Sequence, residues 1–291
     1  TVDGKLYGIP KDFDTNAVFY NKEIFDKAGV EYPSDNMTFE DFKAKCEELK
    51  NAGLPEGTYP TAVNRNSGQT TYYASAFANG GYFLSEGNEK SGWDDPKTIE
   101  ALQSWLDLVS EGLSPTLDQM ADTDPDAMFQ GGQLAMYLSG NYMIASYDKT
   151  LEGKYGIAKR PTYNGKDTDI INGLAFSVSA NTKHPEEATD FALWLGSEEA
   201  QKINGEAGVC ISARNDCQQY FVDAHENLNC QIFLDNVANA ELLPHCKITS
   251  QLSQVEKKYL EPAWKGETKL ADACKSVAEE QNKLLEEMNA K

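Results

Sequence analysis

The stretch DGKLYGIPKDFDTNAVFYNKEIFDKAGVEYP, residues 3–33, decides how the rest of the chain is read. It predicts a strand over Lys5–Ile9, a turn, a second strand and then a helix. A strand this close to the first residue needs a neighbour, and nothing in the stretch supplies one. Working outward, MTFEDFKAKCEELKNAG (37–53) predicts a helix with Thr38 as N-cap, Asp41 at the capping-box position and Gly53 at its end. A second helix is expected from Pro96 to Glu111. A third begins in DTDPDAMFQGG (122–132), with Asp124 as N-cap and Pro125 at the first helical position, and stops at Gly131–Gly132. QLAMYLSG (133–140) reads as a short buried strand. In GLAFSVSA (Gly173–Ala180), Leu174, Phe176 and Val178 alternate with small residues, a strand pattern. A helix opening at Pro185 carries an apolar stripe of Ala188, Phe191, Ala192 and Leu195. The chain closes on an amphipathic helix through Leu270, Cys274, Val277, Leu284 and Met288. Helices alternating with short strands are the signature of an α/β fold.

Composition narrows the function. The 291 residues are 40% hydrophobic and carry a net charge of −20. That length is enough for two domains. The acidic surface argues against sequence-independent nucleic-acid binding, which needs basic groups along the phosphates. No apolar run approaches the roughly 18 residues of a membrane span, and the first residues carry no signal-peptide pattern. Read literally that is a cytosolic chain; the alternative is a leader outside this sequence. Six cysteines occur, with no CxxC pair, so zinc and thioredoxin-like readings are weak. Cys46 and Cys274 fall on apolar helix faces. Cys210, Cys217, Cys230 and Cys246 leave room for a disulfide.

Catalytic constellations are missing. His184, His225 and His245 stand in no HExxH or Ser-His-Asp context, and no GxSxG, Walker or GxGxxG motif occurs. With 46 Asp and Glu, some carboxylate pair is expected by chance, so a glycosidase pair gains no support from counting.

The order of motifs carries more than any one of them. GKLYGIPKDFDTNAVFYNKEIFDKAGVEYP and TFEDFKAKCEELK are followed by FANGGYF, AMFQGGQLAMYLSGNYM, GIAKRPTYNG, INGLAFSVSANTKHPEEATDFALWLGSEEAQKI, GVCISARND and WKGETKLADACKSVAEEQNKLLEEM. Over nearly its whole length the chain resembles the extracellular solute-binding proteins of ABC importers, in the carbohydrate-binding branch that includes maltose-binding protein. The resemblance implies two α/β lobes joined by a hinge that the chain crosses several times, with the ligand between them. It implies a binder rather than an enzyme, without cofactor or metal. The protein would be monomeric and extracytoplasmic, would hand its solute to membrane permease subunits, and would touch the membrane only through an N-terminal lipid anchor. It also implies that the first lobe is incomplete here, so that the partner of Lys5–Ile9 would lie upstream. On that reading residues 1–15 are a remnant of the first lobe and the first crossing. Residues 16–171 form the second lobe, 172–245 return to the first, and 246–291 make the third crossing and helices that pack on the second lobe.

The same resemblance nominates cleft residues. A sugar site needs aromatic faces for C–H surfaces and polar groups for hydroxyls. Asp14 matches a cleft carboxylate at the first crossing, flanked by Thr15 and Asn16; the plain alternative is a turn capping local backbone. Tyr142 matches a stacking aromatic, lighter than the Trp of many relatives, with Asn141 before it. Asn66, Gln69, Thr70 and Tyr73 are expected to line the same lobe, with only one of Tyr72 and Tyr73 facing the ligand. Asn172 and Gly173 stand at the second crossing. Gln251 and Gln254 lie, with Ser253, near where relatives place another aromatic. None stands there in this chain, which departs from a maltodextrin-like site and leaves a smaller or different sugar open. Trp93, Trp105, Trp194 and Trp264 are expected mainly in the core, and Arg214 in a structural role. The alternatives are another solute on the same fold (a polyamine, an iron complex or an anion), a secreted hydrolase, or a lobe that binds nothing tightly.

Overall fold

In the computed structural model, which describes residues 4–65 and 67–290, strands β1 (Ile9–Asp14) and β2 (Asn16–Asn21) are separated only by Thr15 yet belong to different sheets. Helix α1 (Lys22–Ala28) follows, capped by the Asn21 side chain, which accepts from the Ile24 N–H. In α2 (Phe39–Asn51) the Thr38–Asp41 capping box forms as its residues dictate. Helix α3 (Tyr72–Asn79) ends on Gly80 at φ 83°, a left-handed position that glycine takes without strain. Asp95 caps α4 (Pro96–Ser110) and Asp124 caps α5 (Pro125–Gln130), each with proline in the first turn. Next come β3 (Met136–Gly140), buried along its whole length, α6 (Ile144–Leu151), β4 (Tyr155–Ala158) and β5 (Asp169–Phe176). The remaining elements are α7 (Pro185–Leu195), α8 (Glu198–Glu206), β6 (Ile211–Ser212), α9 (Gln218–Asp223), α10 (Gln231–Asp235), β7 (Ala240–Leu242), α11 (Thr249–Trp264) and α12 (Leu270–Asn289).

Two sheets organise these elements. One has the order β6-β1-β5-β7, the other β3-β2-β4. The opening strand finds partners within the chain. The strand runs over Ile9–Asp14 rather than Lys5–Ile9, and it pairs antiparallel with β5 and with β6, both far downstream. Ile9 faces Phe176 and Asp14 faces Asn172, with a register shift between Pro10 and Asp12. Proline lacks an N–H for the ladder, and an irregularity beside it accommodates that loss. β5 starts and stops earlier than the Gly173–Ala180 expected from alternation, and Leu174 is 57% exposed. The stripe predicted on α7 is likewise open: Phe191 is 59% exposed and only Ala192 is buried. Alternation reports that a face is apolar; it does not report what covers it.

Two apolar cores result. One joins α2, α3, α4, α11 and α12 through Phe42, Trp93, Trp105, Trp264, Cys274 and Val277. The other backs the β3-β2-β4 sheet, where Phe19 packs on Phe129, Tyr147 and the Phe233 ring of α10. Three of the tryptophans are core residues and Trp194 is not. On α12 the buried seam runs through Leu285 rather than the half-buried Leu284. No disulfide forms: Cys210, Cys217, Cys230 and Cys246 are free thiols.

Candidate functional site

The passage from one sheet to the other at Thr15 is held by buried polar groups. The Thr15 N–H donates to Asn141 Oδ1 at 3.1 Å and its hydroxyl to the Phe233 carbonyl at 2.8 Å. Asn141 Nδ2 donates to the Phe13 carbonyl at 3.4 Å. Asn16 donates to Asp169 from its backbone N–H at 2.7 Å and from its side chain at 2.9 Å. Asp169 also accepts from the Ile170 N–H at 2.8 Å and from Asn236 Nδ2 at 3.1 Å, with the Arg160 guanidinium 3.9 Å away. Burial pushes Asp169 upward, and Arg160 with these donors opposes that shift. Arg160 donates in turn to the carbonyls of Thr70 and Thr71. Thr15, Asn16, Thr70 and Asn141 therefore spend much of their hydrogen-bonding capacity on the crossing itself.

Asp14, one residue earlier, stands differently. Its carboxylate is half-buried and accepts from Gln69 Nε2. Burial is the largest cause lifting it to about 7; the Gln69 bond opposes the shift, and the charges of Asp12 and Asp169 add to it. Tyr142 is 46% exposed. Its phenol is pushed up to about 12 by burial first, then by the charges of Asp14 and Asp126, which places it in their neighbourhood. The ring lies over Gly140: a Cβ there would sit 2.2 Å from it, so any larger residue would push the Tyr142 ring out of this position.

Gln69 links Asp14 to a cavity of about 210 Å³ between the 65–73 segment and α11. Tyr72, Tyr73, Leu260 and Trp264 supply its apolar wall; Arg65, Gln69, Glu256, Lys257 and Glu261 supply polar groups. Both tyrosines line it, although only one was expected to. Glu256 accepts from Gln281 Nε2 at 3.0 Å and from the Tyr73 hydroxyl at 3.5 Å, and burial lifts it to about 7. The wall thus combines donors, acceptors and flat apolar surface, the mix that pockets for small polar molecules use. Among the described residues no cluster of His, Cys, Asp or Glu is arranged to hold a metal ion.

Of the nominated residues, the structure brings Asp14, Gln69 and Tyr73 to this cavity or its edge, and places Tyr142 beside Asp14. Asn172 faces Asp14 across the β1–β5 ladder, and Gly173 is exposed backbone beside the Asp12 carbonyl. Gln251 and Gln254 point to solvent on α11 and do not line the cavity. Asn66 lies outside the described residues. The residues that sequence reasoning missed are Arg65, Glu256, Lys257 and Glu261; Trp264, expected mainly in the core, is a core residue that also lines the cavity. A signal was present: Ser253, Glu256, Lys257, Leu260 and Trp264 follow the spacing of one helix face.

Comparisons with known proteins bear on the family and the fold. The family model described as bacterial extracellular solute-binding protein matches residues 1–227. The arabinooligosaccharide-binding protein of Bacillus subtilis is 31% identical over 69% of this chain and 47% of its own length. A maltooligosaccharide ABC transporter solute-binding lipoprotein of Streptococcus pneumoniae is 24% identical over 87% of this chain and 59% of its own. The chain spans about half the length of the curated relatives it matches. Among solved structures, an ABC substrate-binding protein from Listeria monocytogenes in complex with cycloalternan superposes at a TM-score of 0.86, with 24% identity, covering 98% of this chain and 73% of that one. A maltose-bound protein from T. maritima superposes at 0.79 with 20% identity, covering 98% and 74%. These neighbours share the two-lobe α/β architecture of periplasmic sugar-binding proteins. With the family model matching most of its length, the chain belongs to the bacterial extracellular solute-binding proteins.

Proposed function

We propose that the whole protein is the non-catalytic solute-binding subunit of an ABC importer, which captures a sugar or oligosaccharide between its lobes and delivers it to the membrane permease. The observation that carries this is the cavity wall, where Tyr72, Tyr73 and Trp264 stand beside Gln69, Glu256 and Lys257. The names of the oligosaccharide-binding relatives support it. So does the single residue between β1 and β2, which puts Asp14 at a crossing where closure of two lobes would bring new groups to the ligand. The protein works outside the cytoplasm as a monomer held by an N-terminal lipid anchor. Residues 16–171 with the C-terminal helices make one lobe, and 1–15 with 172–245 belong to the other. A polyamine would favour Asp14, Glu256 and Glu261, but Arg65 and Lys257 share that wall and would repel it.

A thermal-shift screen of the intact protein against sugars, polyamines and metal ions tests the reading. A ligand that binds only the native state raises the melting point by mass action. The expected outcome is a rise with a sugar, lost in Tyr142→Ala, whose own melting point stays close to that of the parent. A rise only with a polyamine or an iron complex would replace the substrate class.

A further inference from the structure

The two cores cover opposite faces of the β3-β2-β4 sheet, since Val18 enters the first while Ala17 and Phe19 enter the second. The cavity beside Gln69 takes Tyr72 and Trp264 from the first core. On the other face, beside Tyr155 and Leu228 of the second core, lies a gap of about 340 Å³. Lys22, Asp148 and Glu152, from residues 16–171, line one side of it, and His225, Glu226 and Leu228, from residues 172–245, line the other.

His225 joins the two sides. Its imidazole is 9% exposed and packs edge-on against the Phe221 ring of α9. Its Nε2 lies 3.2 Å from the Gly208 carbonyl, just past the end of α8, and its Nδ1 lies 3.4 Å from Asp148 Oδ2 on α6. Gly208 admits the ring: its φ is 65°, and a Cβ there would sit 2.7 Å from Nε2. Asp148 is anchored in turn, its Oδ1 accepting from the Tyr155 hydroxyl at 2.6 Å. A carbonyl and an ionised carboxylate only accept, so both ring nitrogens face acceptors. A neutral imidazole has one N–H and serves one of them; the imidazolium has two and serves both. The other charged groups lining the gap are Glu152 and Glu226, which attract an imidazolium, and Lys22, which repels it. Tyr155, on the gap, and Cys230, near Asp148, are the neutral titratable groups here.

Building on the reading of two lobes that close on a sugar, we propose that His225 is a proton-operated clasp between them. Its imidazolium ties Gly208 of one lobe to Asp148 of the other. The tie lies on the face away from the cavity, so a rotation about the crossing that closes the lobes over the cavity pulls it apart. Protonation therefore holds the lobes open, and closure on a sugar releases the proton. Histidine is the side chain that ordinarily changes charge between about pH 5 and 8, so sugar affinity rises with pH across that range. Asp148 is half-buried, and a pair so placed changes affinity by about three- to fivefold.

Small-angle X-ray scattering of the intact, sugar-free protein reads the clasp without a ligand. The expected result is a larger radius of gyration at about pH 5 than at about pH 8. His225→Gln cannot take up the proton and Asp148→Asn removes the carboxylate, so both variants lose that response. Calorimetric titration with arabinotriose and maltotriose then reads affinity, expected to be about three- to fivefold higher at the upper pH in the parent and to change less in either variant. Asp14 and Glu256 also titrate in this range, so pH dependence common to parent and variants is theirs, and the difference is the clasp's. Melting points confirm that the variants fold. An equal response in the parent and both folded variants, or a parent that is more compact and binds more tightly at the lower pH, overturns the clasp and leaves sugar binding standing. Failure of both trisaccharides to bind, with the scattering response present in the parent and lost in the variants, overturns the sugar reading and leaves the clasp standing.

Discussion

Asp14 and Asp169 are both carboxylates taken out of water within one crossing of the chain, and the structure treats them in opposite ways. Asp169 accepts from Asn16 twice, from Ile170 and from Asn236, and has Arg160 as its counter-charge. Asp14 accepts from Gln69, and its neighbouring charges, Asp12 and Asp169, have its own sign. A buried charge costs little only when it is paired and hydrogen-bonded. Asp169 meets that condition, so its work is to hold two sheets together. Asp14 falls short of it, and on the proposed sugar-binding reading it is the carboxylate at this crossing that would meet a ligand.

The largest effect is expected where the satisfied network is broken. Asp169→Ala would leave Arg160 buried without its counter-charge and take one acceptor each from the Asn16 and Asn236 side chains and one from the Asn16 N–H, costing about 3–5 kcal/mol in urea unfolding. A loss under about 1 kcal/mol would mean that the two carboxylates do not differ as described.

Asp14→Asn tests the other side and has the opposite sign. A native value near 7, above the ordinary 3.8, means the folded protein holds a proton that the unfolded chain has already released. Stability from this group is therefore full below about pH 4 and is lost as pH rises through 7. Asparagine removes that loss, so the variant should be more stable at pH 8 by about 1–2 kcal/mol and flatter between pH 4 and 7. Sugar affinity should fall. A variant less stable than the parent at pH 8 would show that Asp14 serves the fold as Asp169 does.

The smallest effect calibrates both. Gln251→Ala and Gln254→Ala lie on the solvent side of α11, and each should stay within about 0.5 kcal/mol in stability and about twofold in affinity. A larger loss of affinity with unchanged stability would bring that face of the helix into the site.

Much of the fold was legible locally. Thr38 with Asp41, Asp124 with Pro125, and the buried run Met136–Gly140 formed as their residues predict, because capping and burial patterns act within a few positions. The motif order that marks the family is likewise written in the chain. The pairing of β1 was not legible, because its partners stand near residues 172 and 211 and a short strand carries no address for them. Nor could the sequence separate scaffold from site among neighbouring polar residues. Thr15 finds Asn141, 126 positions away, and Asn16 finds Asn236, 220 positions away; the Asp14 side chain, at the end of β1, finds Gln69. Residue type says that a side chain can accept a hydrogen bond. Whether that bond is spent on the fold or kept for a ligand depends on what the distant chain brings within about 3 Å of it.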